Sequence, residues 1–94
     1  MTVAVRRSNT AVGVSLAGDL SLSDASTLHR ELTAAVEAGA TLRVDASAVT
    51  RVDTSVVQAL LFAARRAREL RVDARSEAWA AAWSLLGLDE PPRR

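Results

Sequence analysis

The sequence predicts a single α/β domain, and three observations carry that expectation. Two short β-type runs, residues 2–7 and 11–18, are separated by the polar cluster Ser8-Asn9-Thr10. From residue 11 onward, strand patterns alternate with helix patterns. A β-branched stretch then feeds a long amphipathic segment through Asp53-Thr54-Ser55, the kind of junction a βαβ unit makes. A chain of 94 residues supports one modest core and leaves little for elaborate sites.

Taken in order, the first two runs read as a hairpin. Ser21-Leu22-Ser23-Asp24 precedes Leu28, Leu32 and Val36 at helical spacing, and Gly39 stands where a C-cap glycine belongs, so the first helix is expected over about 24–38. A strand follows at 41–45, and the stretch to 52 passes through a short polar turn. The second helix is expected over 54–70 and a further strand over 71–75. Ser76 caps a third helix running through Leu86 to Gly87. Residues 91–94 read as a frayed tail. Residues 78–82 are locally rich in alanine, but no repeat or linker divides the chain, so residues 1–94 are read as one domain.

Composition narrows the function. Hydrophobic residues make up 49% and charged residues 24%, with a net charge of +1, the profile of a soluble globular protein. Every cation is an arginine and the charges nearly cancel, so the pI near 9.0 does not argue for nucleic-acid binding. Without cysteine there is neither a disulfide nor a thiolate nucleophile. The N-terminus lacks a signal-peptide pattern and no apolar run matches a bilayer, so a cytoplasmic protein without membrane insertion is expected. His29, the single histidine, lies on the polar side of the first helix with no partner pattern, and no phosphate-binding loop or metal-ligand spacing occurs. No catalytic residue, cofactor or metal is therefore expected.

Asp53-Thr54-Ser55 sets a hydroxyl at a helix start, where free N–H groups and the positive end of the helix dipole favour a negative group such as a phosphate on Thr54. On local pattern alone the triplet reads first as a helix cap, since such caps open many helices with no function attached. At 100° per residue, Val56, Val57, Leu60, Leu61, Ala63, Ala64 and Ala67 share the side toward the sheet, whereas Thr54, Ser55, Gln58, Arg65, Arg66 and Glu69 share the other. Phe62, the only phenylalanine, falls among the latter. It is either the centre of an interface or a ring folded under a loop or strand. Trp79 and Trp83, four apart and on one face with Leu86, read as core. Arg65, Arg66, Arg68, Arg71 and Arg75, interrupted by Glu69 and Asp73, read as a solvated face.

Val44-Asp45-Ala46-Ser47, then Val49, then Val52-Asp53-Thr54-Ser55 resemble the signature of the STAS family, the sulphate transporter and anti-sigma factor antagonist domain. In that signature an apolar strand, Asp, Ser and Val precede Ile/Val-Asp-Ser/Thr-Ser/Ala-Gly-Leu. Gly18-Asp19-Leu20 is similar to the family's Gly-Asp/Glu-Leu, and Leu85-Leu86-Gly87-Leu88-Asp89 to its closing helix end. The resemblance covers nearly the whole chain.

The resemblance implies a STAS-like α/β fold, a small mixed β-sheet with helices packed on one side, and a non-enzymatic regulatory and interaction module of bacterial signalling. It implies that the Ser/Thr after the motif Asp is phosphorylated by a partner kinase; that position is Thr54, with Ser55 second. Asp53 and Asp19 are the motif and cap carboxylates. In such partner switching the unphosphorylated antagonist binds the ATP-binding anti-sigma kinase and frees the sigma factor, and phosphorylation weakens the complex. The expected docking face carries Thr54, Ser55, Gln58, Phe62, Arg65 and Arg66. Two departures stand out: Val56 replaces the family's Gly, and the chain ends soon after Leu88-Asp89-Glu90. The short C-terminus is similar to the STAS subunit of bacterial phospholipid-transport ABC systems, whose partner is the ATPase, and to stand-alone STAS proteins of chemotaxis operons. Oligomeric state is not legible.

Overall fold

Val12, Val14, Leu16 and Leu20 alternate with small or polar residues along one extended segment, which places them in a row on one side of a strand. In the computed structural model, which describes residues 2–8 and 10–88, that segment is β2 (Ala11–Leu20). It follows β1 (Val3–Arg7) and precedes α1 (Leu22–Glu37), β3 (Thr41–Val52), α2 (Thr54–Arg66), β4 (Leu70–Arg75) and α3 (Glu77–Leu85). The sheet order is β1-β2-β3-β4, with β1 antiparallel to β2 and the other two pairs parallel. It is a mixed sheet with the helices on one side.

One face of the sheet supplies Val12, Val14, Leu16, Leu20, Leu42, Val44, Val49 and Val72 to the core, where they meet Leu28, Leu32, Val56, Val57, Leu60, Trp79 and Trp83 from the helices. Burying these side chains drives the association of sheet and helices. The other face carries Ala4, Arg6, Ser15, Asp45, Asp73 and Arg75, all exposed, with Arg43 paired to Asp73 at 2.8 Å. The edge strand β1 is tied to α1 by Arg7–Glu31 at 2.7 Å and by the Thr2 hydroxyl, which donates to Asp24.

The sequence expectation holds for the hairpin and for all three helices, and four details differ. The first helix begins at Leu22 rather than 24, because Ser21 donates its N–H to the Asp24 carboxylate at 2.8 Å and so closes the first turn earlier. β3 continues through the expected polar turn to Val52. Asp45 accepts the N–H and hydroxyl of Ser47 at 3.0 and 2.7 Å, the register against β4 shifts beside it, and Val49 returns to the core. The second helix stops at Arg66, since Ala67 is extended and Leu70 is buried as the first residue of β4. Leu86 is 41% exposed and does not share the buried face of Trp79 and Trp83. Asn9 and residues 89–94, including the expected frayed tail, lie outside the described residues.

The two tryptophans are fully buried with ring centroids 5.8 Å apart, and the Trp83 indole N–H has no acceptor among the described residues. Trp83→Ala should cost about 3–5 kcal/mol in urea unfolding. Trp83→Phe should cost under about 1 kcal/mol, because removing an unsatisfied buried donor offsets the lost area. A second expectation concerns acid. The Thr2 hydroxyl and the Ser21 N–H hold the Asp24 carboxyl below its ordinary value of 3.8, and the hydroxyl and N–H of Ser47 do the same for Asp45. A depressed carboxyl stabilises the fold above the unfolded value, and that contribution is lost as pH falls through the folded value. The urea midpoint should therefore decline as pH drops below about 4, and Asp24→Asn should flatten the decline.

Candidate protein-docking site at the helix starts

Parallel pairing carries β2 and β3 to the same end of the sheet, where Asp19 lies opposite Arg51 and Leu20 opposite Val52. The Asp53 N–H donates to the Leu20 carbonyl at 2.9 Å and ties the two junctions together. Each strand then turns into its helix, so α1 and α2 run side by side in the same direction and begin at the same end. Asp53 is the N-cap of α2, extended at φ −72° and ψ 147°, and accepts the Ser55 N–H at 2.9 Å. It also accepts the Ser55 hydroxyl, and these bonds, the hydroxyl first, hold its carboxyl below the usual carboxylate range. Asp19, by contrast, lies within β2, and the α1 start is capped by Ser21 and Asp24.

The two hydroxyls of the motif are therefore in different states. Ser55 is half-buried and engaged, whereas Thr54 is exposed and its hydroxyl has no partner among the described residues. Arg51, exposed and outside any ion pair among the described residues, borders the same shallow cleft as Asp53 and Thr54. Val56 is fully buried, so the residue in place of the family's Gly packs inward.

Gln58, Arg65 and Arg66 are exposed along the outer side of α2. Phe62 is 37% exposed, with the Arg66 guanidinium 4.3 Å from its ring centroid and the His29 ring 5.2 Å away at 53°. The ring thus rests against α1 and keeps an open side. Sequence reasoning missed the α1 contribution. Leu22, 69% exposed, joins Ser26 and His29 opposite Ser55, Gln58 and Phe62 around a groove of about 480 Å³, floored by the buried Ala25 and Ala59. The spacing 22, 26, 29 was the available signal. Starting the helix at 24 leaves Leu22 out of it.

Among the described residues this arrangement offers an open apolar groove, a hydroxyl without a partner and cations outside ion pairs, which suit binding and modification. Among the described residues no cluster of His, Asp or Glu is arranged to hold a metal, and no helix is long and apolar enough to cross a membrane.

Residues 3–90 match the family model described as Mlab, STAS domain. No curated protein matches the chain in sequence. Among solved structures, the chain is similar to an anti-sigma factor antagonist from Mycobacterium paratuberculosis, with 23% identity, a TM-score of 0.76, and coverage of 92% of this chain and 77% of that one. It is also similar to the anti-sigma factor antagonist SpoIIAA in its unphosphorylated form, with 16% identity, a TM-score of 0.77, and coverage of 98% and 86%. The matched span takes in the mixed sheet, all three helices and the Asp53-Thr54-Ser55 junction, and the chain belongs to the STAS domain family.

Proposed function

We propose that this STAS domain is a non-enzymatic regulatory module of the anti-sigma factor antagonist type. It works in the bacterial cytoplasm, docks through the outer side of α2 onto an ATP-binding anti-sigma kinase, and is switched by phosphorylation of Thr54. One observation carries the proposal: Thr54 presents an exposed hydroxyl, without a partner among the described residues, in the first turn of α2, while Ser55 is held by Asp53. The likeness to solved anti-sigma factor antagonists supports the same reading. The phosphate adds about −1.5 to −2 charges. At the helix start, the positive end of the helix dipole and Arg51 accommodate it, so the fold persists. Inside an interface the same charge, unpaired, costs several kcal/mol, and about 1.4 kcal/mol is already tenfold in affinity.

A second reading keeps the docking face and changes the partner to the ATPase of an ABC phospholipid transporter. It draws on the Arg51-Val52-Asp53-Thr54 run and on the Mlab description of the matching family model. Affinity capture from a lysate of the source organism, with wild-type, Thr54→Ala and Thr54→Glu baits, separates the two. The expected result is an anti-sigma kinase held by wild type and Thr54→Ala and weakened at least about tenfold by Thr54→Glu, with melting temperatures unchanged. Recovery of an ABC ATPase would select the second reading. A partner held equally by all three baits would end the switch proposal, as would phosphate found on Ser55 alone after incubation with the kinase and ATP.

A further inference from the structure

The groove between α1 and α2 is more than an extension of the α2 face, because both helices wall it, with arginines beside one end and a mixed set of charges beside the other. Its walls pair Leu22 with Ser55 at one end and His29 with Phe62 at the other. Seven residues on each helix separate those ends, about 10 Å at 1.5 Å per residue, or two helical turns. At the start lie Asp53 and Asp19 together with Arg51, and the Thr54 hydroxyl, which has no partner among the described residues. At the far end, Arg30, Arg65 and Arg66 are exposed, and none of them enters an ion pair among the described residues; Arg66 is stacked on Phe62. The groove walls are helices whose backbone groups are already paired, so a strand finds no edge to extend there.

We infer that this groove seats one acidic amphipathic helix of the partner protein, with a large apolar side chain between Leu22 and Phe62 and its carboxylates over Arg30, Arg65 and Arg66. Helix-in-groove docking places apolar anchors in the trough and polar residues on the rim, and here Arg66 stacks on Phe62 at one end, with the exposed Arg65 and Arg30 next to it and to His29 in sequence. The inference rests on the docking reading above and gives it a direction. An acidic helix is held at the arginine end and tolerates the hydroxyl of Thr54, but a phosphate there faces a ligand of its own sign. Leu22, which contributes nothing to the core at 69% exposure, becomes half of the binding surface.

The test places a photo-crosslinking benzoylphenylalanine at Leu22 or at Gln58 of the full chain, in cells of the source organism, and maps the joined peptides. Both positions should join the same segment of one partner, a segment with carboxylates at i, i+3 or i+4 beside a large apolar residue. The pair Arg30→Glu and Arg65→Glu should lower the Leu22 yield at least about tenfold while the melting temperature stays unchanged. A segment without acidic residues, or a second copy of this chain, overturns the inference. Crosslinking at Gln58 that is lost with Thr54→Glu, without any at Leu22, overturns the groove and leaves the switch standing. Silence at both positions overturns the docking reading itself.

Discussion

The parallel pairing of β2 with β3 is the constraint on which the rest of the molecule depends. Parallel neighbours cannot be joined by a tight turn, so the chain must cross over through a helix, and it does so again between β3 and β4. Both crossovers bury their apolar stripe against the same face of the sheet. Their starts consequently lie at one end, and α1 and α2 become parallel neighbours with a trough between them. Parallel sheets usually have both faces covered. Here the uncovered face is made of small, polar and charged side chains, including the paired Arg43 and Asp73, so it needs no second layer.

Short-range bonds between aspartate and serine set the details. Asp24 with Ser21, Asp45 with Ser47 and Asp53 with Ser55 each hold a local turn, and each closes within three residues. Such bonds belong to the segment and precede tertiary structure. At the α2 start this leaves one hydroxyl committed and its neighbour free. The difference between Ser55 and Thr54 is one of hydrogen bonding, set by the reach of the Asp53 carboxylate.

The hairpin, the helices and the core tryptophans were legible in the sequence because each depends on a local pattern: alternation in 11–18, spacing of four for Trp79 and Trp83, and a glycine at 39 that adopts φ +71°. The run of β3 past Asp45 was not legible, because Ser47, Thr50 and Arg51 suggest a turn unless the pairing of Leu20 with Val52 is known. The end of α2 was hidden for a related reason. Leu70 fits the helical pattern, yet it is buried in β4 by a tertiary contact that no local periodicity encodes. At the site, Thr54, Ser55, Gln58 and Phe62 were read from α2 alone. The contact of Phe62 with His29 brings together residues 33 positions apart in sequence, and only the fold reveals it.

Among the described residues the outer strand β4 has a neighbour on one side only. An unpaired strand edge invites another molecule to add itself, the first step toward edge-to-edge polymers. Along β4, Arg71, Asp73 and Arg75 alternate with Leu70, Val72 and Ala74, and Arg71 is anchored to Glu69 while Asp73 is anchored to Arg43. An incoming strand would have to bury or break these ion pairs. The border of the sheet is thereby discouraged from propagating through its backbone.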